Sequence, residues 1–289
     1  MSCAVKRVKK VKFALLFNHP HLKIETFMQL KQCTVLLLFF VVLLLGSNQL
    51  YAQLEYTTSI SFANQQLMNP RVWEAKTGTE SNLQTQFALR GLSYPPQHIY
   101  IRAFKKEGLL EVWVQQNGGQ YIKFKDYTVC VSGGTLGPKR RQGDYQVPEG
   151  YYYINQFNPR STYFLSLGIN YPNESDRILG GYSNLGGDIF IHGACMTAGC
   201  LPIGNDKIKE VYWLSVLAKD NGQDTIPVHI YPFKFDNFEH YQTEFSKYAG
   251  NPRLIQFWDN LKVGYDLFET YRTPPAVGVN SDGSYRYSQ

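Results

Sequence analysis

The sequence predicts a mainly β domain with flanking helices at its N- and C-terminal ends, an α+β arrangement. Three observations predict it. Between residues 96 and 235 apolar side chains recur with period two, as a pleated strand requires. Turns rich in Gly and Asn separate these runs at hairpin spacing. Before residue 95 and after residue 236 the apolar period lengthens to that of a helix. The chain has 289 residues, 44% of them hydrophobic and 15% aromatic, enough for one real core.

The first 52 residues read as a leader. Met28 opens "MQLKQCTVLLLFFVVLLLGSNQLYAQ", with basic Lys31, an unbroken apolar run from Val35 to Leu45, and a polar stretch ending in Leu50-Tyr51-Ala52. That order of n-region, h-region and cleavage site predicts a secretory signal cleaved after Ala52. Eleven apolar residues are too few for a stable bilayer-spanning helix. Residues 1–27 then read as an over-long start, with Met28 the alternative to Met1. Cys33 precedes the apolar run, so no cysteine sits where a lipid would be attached. The expected destination is the periplasm or cell envelope.

The net charge of +6 belongs to this leader. Residues 1–52 hold seven of the 29 Lys and Arg and one of the 23 acids, Glu25, so the remaining body is neutral. A nucleic-acid partner has no support from charge.

Residues 53–95 predict a helical extension: a loose polar start, then one or two short helices with Val72, Leu83, Phe87, Leu89 and Leu92 on apolar positions, stopped by "YPPQ". Strands follow at "IYIRAF", "LLEVWV", "YIKF", "YTVCVS", "YYYINQF" and "STYFLSLGI". A long loop punctuated by Gly and Pro runs from Ser132 to Gly150, and Asn173-Glu174-Ser175 reads as a polar loop. "GDIFIHG" is a strand ending at His192, with Ile189 and Ile191 on one face and Phe190 and His192 on the other. A helix follows Cys200, with Asp206 as N-cap and Glu210 in its first turn. "TIPVHIYPF" closes the sheet. Residues 236–289 predict a C-terminal helical extension, a Pro-Pro break and a frayed polar tail.

The chemistry concentrates in "IHGACMTAGC", residues 191–200. Three readings compete. A zinc site at His192, Cys195 and Cys200 lacks a second ligand pair, so no metal is expected. A disulfide is open to two pairings, Cys195 with Cys200 or Cys130 with Cys195, and spacing does not choose between them. The body of the chain has three cysteines, so at least one thiol is left over. A catalytic thiol needs a base, and His192 at a strand end can meet Cys200 across the seven-residue loop between them. The amides of Gly199 and Cys200 can then face a developing oxyanion. A buried cysteine beside a core histidine is the plain alternative.

These ten residues resemble the His-Gly…Ser/Thr-x-Gly-Cys signature of the L,D-transpeptidase catalytic domain (YkuD-type) family, and more closely its YafK-like murein L,D-transpeptidase subgroup. "IRAFKKEGLLEVW", "SGGTLGPKRRQGDYQVPEGYYYI", "NPRSTYFLSLGINYPNESDR", "VHIYPF" and "FWDNLKVGYDLFE" are similar to that subgroup too. The resemblance implies a curved mixed β-sandwich catalytic domain over residues 96–235. It implies Cys200 as the nucleophile, His192 as the base, and Gly193 as the residue whose carbonyl orients the imidazole. Gly199 and Thr197 would support the oxyanion site, Thr197 standing where the family usually has Ser. The commonest motif places a second His and an Arg where this chain has Ala198 and Pro202. Arg160 or Lys139, with Arg140 and Arg141 beside it, is the expected substitute for greeting substrate carboxylates, a solvated basic loop being the alternative for the last three. Cys195 is expected in the scaffold.

The implied function is an exported peptidoglycan L,D-transpeptidase that remodels or cross-links stem peptides through a thioester, in cell-wall biogenesis and cell shape. The same two residues would also serve an endo- or carboxypeptidase or amidase-like hydrolase that releases cross-links or peptidoglycan-attached proteins. A non-catalytic peptidoglycan-binding module is the alternative of another class. No cofactor is expected in any of these.

Overall fold

The computed structural model describes residues 60–131, 133–236 and 238–288, together with Leu38, Phe40, Val41, Val42, Leu43 and Leu45. Those six residues are helical. Among the described residues no helix is long and apolar enough to cross a membrane. The expected cleavage point after Ala52 and the start at Met1 or Met28 lie outside the described residues.

The period-two runs pair into one eight-stranded mixed sheet. Its strands are β1 (Ile99–Phe104), β2 (Leu109–Gln115), β3 (Tyr121–Thr128), β4 (Gly150–Asn158), β5 (Ser166–Ile169), β6 (Phe190–His192), β7 (Leu201–Pro202) and β8 (Pro227–Tyr231). Their spatial order is β3-β2-β1-β8-β4-β5-β6-β7. Two neighbouring pairs, β1 with β8 and β6 with β7, are parallel, and the rest are antiparallel. The sheet curls at β4. Gly150 to Tyr153 pair with β8, Ile154 to Asn158 pair with β5, and the register of the second half shifts between Ile154 and Gln156.

"TIPVHIYPF" does not close the sheet as expected. Its strand β8 lies at the centre, parallel to β1. Alternation explains why it fits there, since both faces of this strand find a core. Val228 and Ile230 join Ile99, Ile101 and Ala103 in one apolar cluster, and Tyr231 joins Phe104 in another.

Helices cover the first face: α1 (Phe62–Leu67), α2 (Pro70–Leu89) and α4 (Asn205–Asp220). The expected one or two short helices are instead one of 20 residues preceded by one of six. The Asn69 side chain accepts from the Arg71 amide and Pro70 begins the helix, a start signal strong enough to set its N-terminus. Val72, Ala75, Leu83 and Phe87 bury its apolar stripe in the first cluster. Asp206 does not cap α4: the N-cap is Gly204, with no side-chain hydrogen bond, and Asp206 is in the first turn. Glu210 sits deeper in the helix, where it accepts from Lys125 Nζ at 2.7 Å and Tyr127 Oη at 2.9 Å.

The second face carries α6 (Pro252–Tyr271), with α5 (Phe238–Lys247) before it. The tail is not frayed. Ala276–Val279 (β9) and Tyr285–Ser288 (β10) form a two-stranded ribbon, and Tyr285 is buried against Tyr151. Between β5 and β6 a short helix, α3 (Glu174–Leu179), has a full capping box at Asn173 and Asp176, where a polar loop is expected from sequence.

The long loop after β3 is pinned rather than loose. Lys105 Nζ donates to the carbonyls of Gly137 and Val147 and to Glu149, whose other oxygen accepts from Trp258 Nε1 at 2.8 Å. Lys105 and Glu149 are buried, so removing either partner alone would strand a charge at a cost of about 3–5 kcal/mol. This anchor fixes the loop as one wall of the cleft described next.

Candidate active site

β6 and β7 are parallel neighbours joined by only seven residues plus Cys200, much shorter than the usual parallel crossover. The turn is possible because Ala194 takes φ +55° and Gly199 φ +120°. A Cβ on Gly199 would lie 2.8 Å from the Gln146 carbonyl oxygen. Gly193 is as confined: a Cβ there would lie 2.6 Å from both Asn205 Oδ1 and the Tyr163 carbonyl. Asn205 earns its place by accepting from the Ala194 amide at 2.8 Å.

The register places Ile191 opposite Leu201 and His192 opposite Pro202. Cys200 therefore falls opposite Phe190, and the Phe190 amide donates to its sulfur at 3.4 Å. Alternation puts Phe190, His192 and Cys200 on one face. Strand spacing and rise set the Cα atoms of His192 and Cys200 roughly 8 Å apart, a gap their two side chains can close. Both residues line a cleft of about 420 Å³.

His192 is 1% exposed. Its Nδ1 faces the Gly193 carbonyl, which can only accept, so Nδ1 carries the proton. Nε2 is left as the basic lone pair and has no partner among the described residues. Tyr163 stacks on the imidazole with centroids 4.5 Å apart. Burial holds the imidazole below its ordinary range, while the Gly193 carbonyl opposes that shift.

Cys200 is half-buried and is the free thiol among the described residues. Its sulfur rests on the Phe190 amide and donates to the Asp188 carbonyl at 3.5 Å, not to His192. Burial pushes the thiol up, the Phe190 amide and Lys139 pull it down, and the Asp188 charge pushes it up again. The resting pair is thus a neutral thiol and a neutral imidazole.

Cys195 is bonded to Cys130, 65 residues away, which selects one of the two pairings left open by the sequence. The bond ties the turn carrying Cys200 to the end of β3. It also removes Cys195 as a ligand, and among the described residues no three His, Cys, Asp or Glu side chains converge as a metal site.

Thr197 and Gly199 act on the turn itself. Thr197 Oγ1 accepts from the amides of Gly199 at 3.1 Å and Cys200 at 2.7 Å, and donates to the Cys200 carbonyl at 2.9 Å. The two amides expected to face an oxyanion have this hydroxyl as their partner. Lys139 lines the cleft, but its ammonium holds Asp144 and the Arg141 carbonyl. Arg140 reaches Asp176. Arg160 is exposed and is not among the residues lining the cleft. Sequence reasoning missed Tyr163, Asp188 and Gln146, which reach the site through loops, and Asn205, which reaches it from the first turn of α4. The "GGD" before β6 was the one available signal, two glycines setting an acid beside the strand.

Comparison with known proteins adds a family. The model of the L,D-transpeptidase catalytic domain, YkuD, matches residues 99–230. The chain is 38% identical over 183 residues to the protein named "Putative L,D-transpeptidase YafK" of Escherichia coli (strain K12), covering 63% of this chain and 70% of that one. The same figures hold for its counterpart in Escherichia coli O157:H7. Among solved structures, the helical cell shape determining protein Pgp2 from Campylobacter jejuni is 17% identical with a TM-score of 0.38, over 65% of this chain and 75% of that one. Bdellovibrio bacteriovorus Bd1075 is 20% identical with a TM-score of 0.35, over 62% and 63%.

Proposed function

The chain belongs to the family of YkuD-type L,D-transpeptidase catalytic domains, and on that premise we propose that it is an exported enzyme that remodels peptidoglycan stem peptides in the periplasm through Cys200. One observation carries this reading: among the described residues, a free thiol just before β7 and an imidazole with its Nε2 unpartnered at the end of the parallel neighbour β6 line the same cleft.

The chemistry follows from the two groups. Cys200 turns from Asp188 toward Nε2 and gives it the thiol proton. The thiolate attacks the carbonyl carbon of the donor's L-centre. The tetrahedral adduct collapses by breaking the C–N bond, and the departing amine takes the proton back from the imidazolium. The acyl group is left as a thioester on Cys200. An incoming amine of a second stem then loses its proton to Nε2 as it attacks, and Cys200 leaves as the thiol. Water in place of that amine gives hydrolysis with identical proton steps. Gly193 orients the base, and Thr197 and Gly199 hold the turn that presents the sulfur. Peptidoglycan-attached proteins are substrates of the same class wherever an amine of the protein is the leaving group.

The test incubates the purified chain and its Cys200→Ala variant with diaminopimelate-containing muropeptides, read by mass spectrometry. New links between diaminopimelate residues that vanish in the variant establish transfer. Loss of existing links or terminal residues establishes hydrolysis. Identical products from both proteins would remove Cys200 from the mechanism and favour a binding module.

A further inference from the structure

Two charged side chains line the cleft, Lys139 and Asp188. The first is neutralised in place: Lys139 is 4% exposed and its ammonium lies against Asp144. Asp188 is different. Its side chain is exposed and forms no ion pair or hydrogen bond among the described residues. Its backbone carbonyl contacts Cys200 Sγ at 3.5 Å, and Asp188 lines the same cleft as Cys200, so its charge acts on the sulfur. It also sits at φ +56°, directly after Gly186 and Gly187, in a conformation that glycine adopts without strain.

A lone negative charge here opposes the step the site must perform, because the sulfur has to become an anion. The carboxylate therefore works against the nucleophile until something positive meets it. Of the basic residues expected to greet substrate carboxylates, Lys139 offsets part of that charge at the sulfur but is itself paired with Asp144, Arg140 is paired with Asp176, and Arg141 and Arg160 lie outside the cleft lining.

We propose that Asp188 determines specificity: its carboxylate receives an ammonium group of the acyl donor beside Cys200. This rests on the reading of Cys200 as a stem-peptide nucleophile and names the feature of the donor that the cleft selects. The donor class is a peptide carrying a free primary amine close to the scissile carbonyl, as a diamino acid does. Binding of the cation cancels the charge of Asp188, so thiolate formation becomes easier only when the correct donor is seated. Asp188 breaks no bond and holds no proton in the reaction.

The first test needs no peptide. Full-chain wild type and Asp188→Asn are treated with size-matched methanethiosulfonates bearing a quaternary ammonium or a sulfonate, modification of Cys200 being followed by peptide mass spectrometry and each rate normalised to free cysteine. Asn tolerates the left-handed backbone, so the variant keeps the loop. In wild type the cationic reagent should modify Cys200 about tenfold faster than the anionic one. The ratio should fall to within about twofold in Asp188→Asn, and 1 M salt should compress the wild-type ratio without any substitution. A wild-type ratio near one, or one unchanged in Asp188→Asn, overturns the proposal.

The second test compares donor peptides with the amine free and acetylated. Acetylation should raise KM about tenfold or more in wild type and have little effect in Asp188→Asn. Equal KM values in wild type overturn the proposal. A wild type that processes neither peptide overturns the stem-peptide activity instead, and the reagent ratio still decides the role of Asp188.

Discussion

Tyr163 lies flat on His192, with ring planes 24° from parallel and centroids 4.5 Å apart. The phenol ring is part of the cover that keeps water off the imidazole and holds it neutral. Tyr163→Ala should let water reach the ring and move its titration back up toward the ordinary histidine value. The acidic limb of the activity profile should move up in pH with it, and kcat should fall about tenfold as the ring loses its fixed orientation. Tyr163→Phe keeps the stack and should keep both. A pH–rate profile of the three proteins reads the difference.

The resting thiol is held up by burial and by Asp188, so Cys200 should alkylate slowly at pH 7 and faster as pH rises past 9. His192→Ala should barely change this rate, because the sulfur contacts Phe190 and Asp188 rather than the imidazole. The same variant should abolish turnover. Iodoacetamide labelling followed across pH, beside an activity assay, separates the two effects.

Buried His229 gives the fold a pH dependence of its own. Tyr100 Oη lies 2.8 Å from its Nδ1. Burial, reinforced by Arg102, pushes the imidazole from 6.5 down to about 3. Between those values the unfolded chain takes up a proton that the folded chain refuses. The contribution is therefore complete above pH 6.5 and is lost as pH falls, by on the order of 1 kcal/mol per unit. Urea midpoints measured from pH 7 to pH 4 should show this slope, and His229→Gln should flatten it.

The Cys130–Cys195 bond closes a loop of 65 residues. Chain entropy assigns such a link about 4 kcal/mol. The double variant Cys130→Ser with Cys195→Ser should lose about that much in denaturant unfolding. Amide exchange should rise chiefly across residues 193–199, since the turn loses its tie to β3.

Gly199→Ala should damage the site more than its size suggests. The new Cβ would meet the Gln146 carbonyl at 2.8 Å from a backbone held at φ +120°. The turn must shift, and the Cys200 amide shifts with it. A loss of about 2 kcal/mol in stability and about a hundredfold in turnover is expected, read by thermal unfolding and the muropeptide assay.

Much of this was legible in the sequence, for reasons that can be named. His192 and Cys200 were singled out by the signature that resembles the family's, and a local strand register with a tight glycine turn explains why both line one cleft. β1 and β2 were found because their alternation survives burial on both faces. The central place of β8 was not legible, since a five-residue run carries no record of which strand it pairs with. The tail ribbon was missed although Asn280-Ser281-Asp282-Gly283 is a turn sequence, because its support comes from Asn260 and Tyr151, far off in the chain. Tyr163 and Asp188 were missed for the same reason: each gains its meaning only from a neighbour elsewhere in the chain, His192 on β6 and Cys200 in the turn after it. Thr197 was noticed for its likeness to a serine, but its three hydrogen bonds within the turn depend on a backbone path no spacing reveals.

The three cysteines from residue 53 onward can pair in three ways, and two of those ways consume Cys200. The nearest partner along the chain, Cys195, is also the one that would silence it. Joining Cys195 to Cys130 instead leaves Cys200 without a disulfide partner in the body of the chain. The proportion of molecules that turn over substrate is then a direct readout of how faithfully the chain was oxidised. A preparation with full helix and sheet content but low activity points to scrambled sulfur before it points to a damaged cleft, and a disulfide isomerase should restore it.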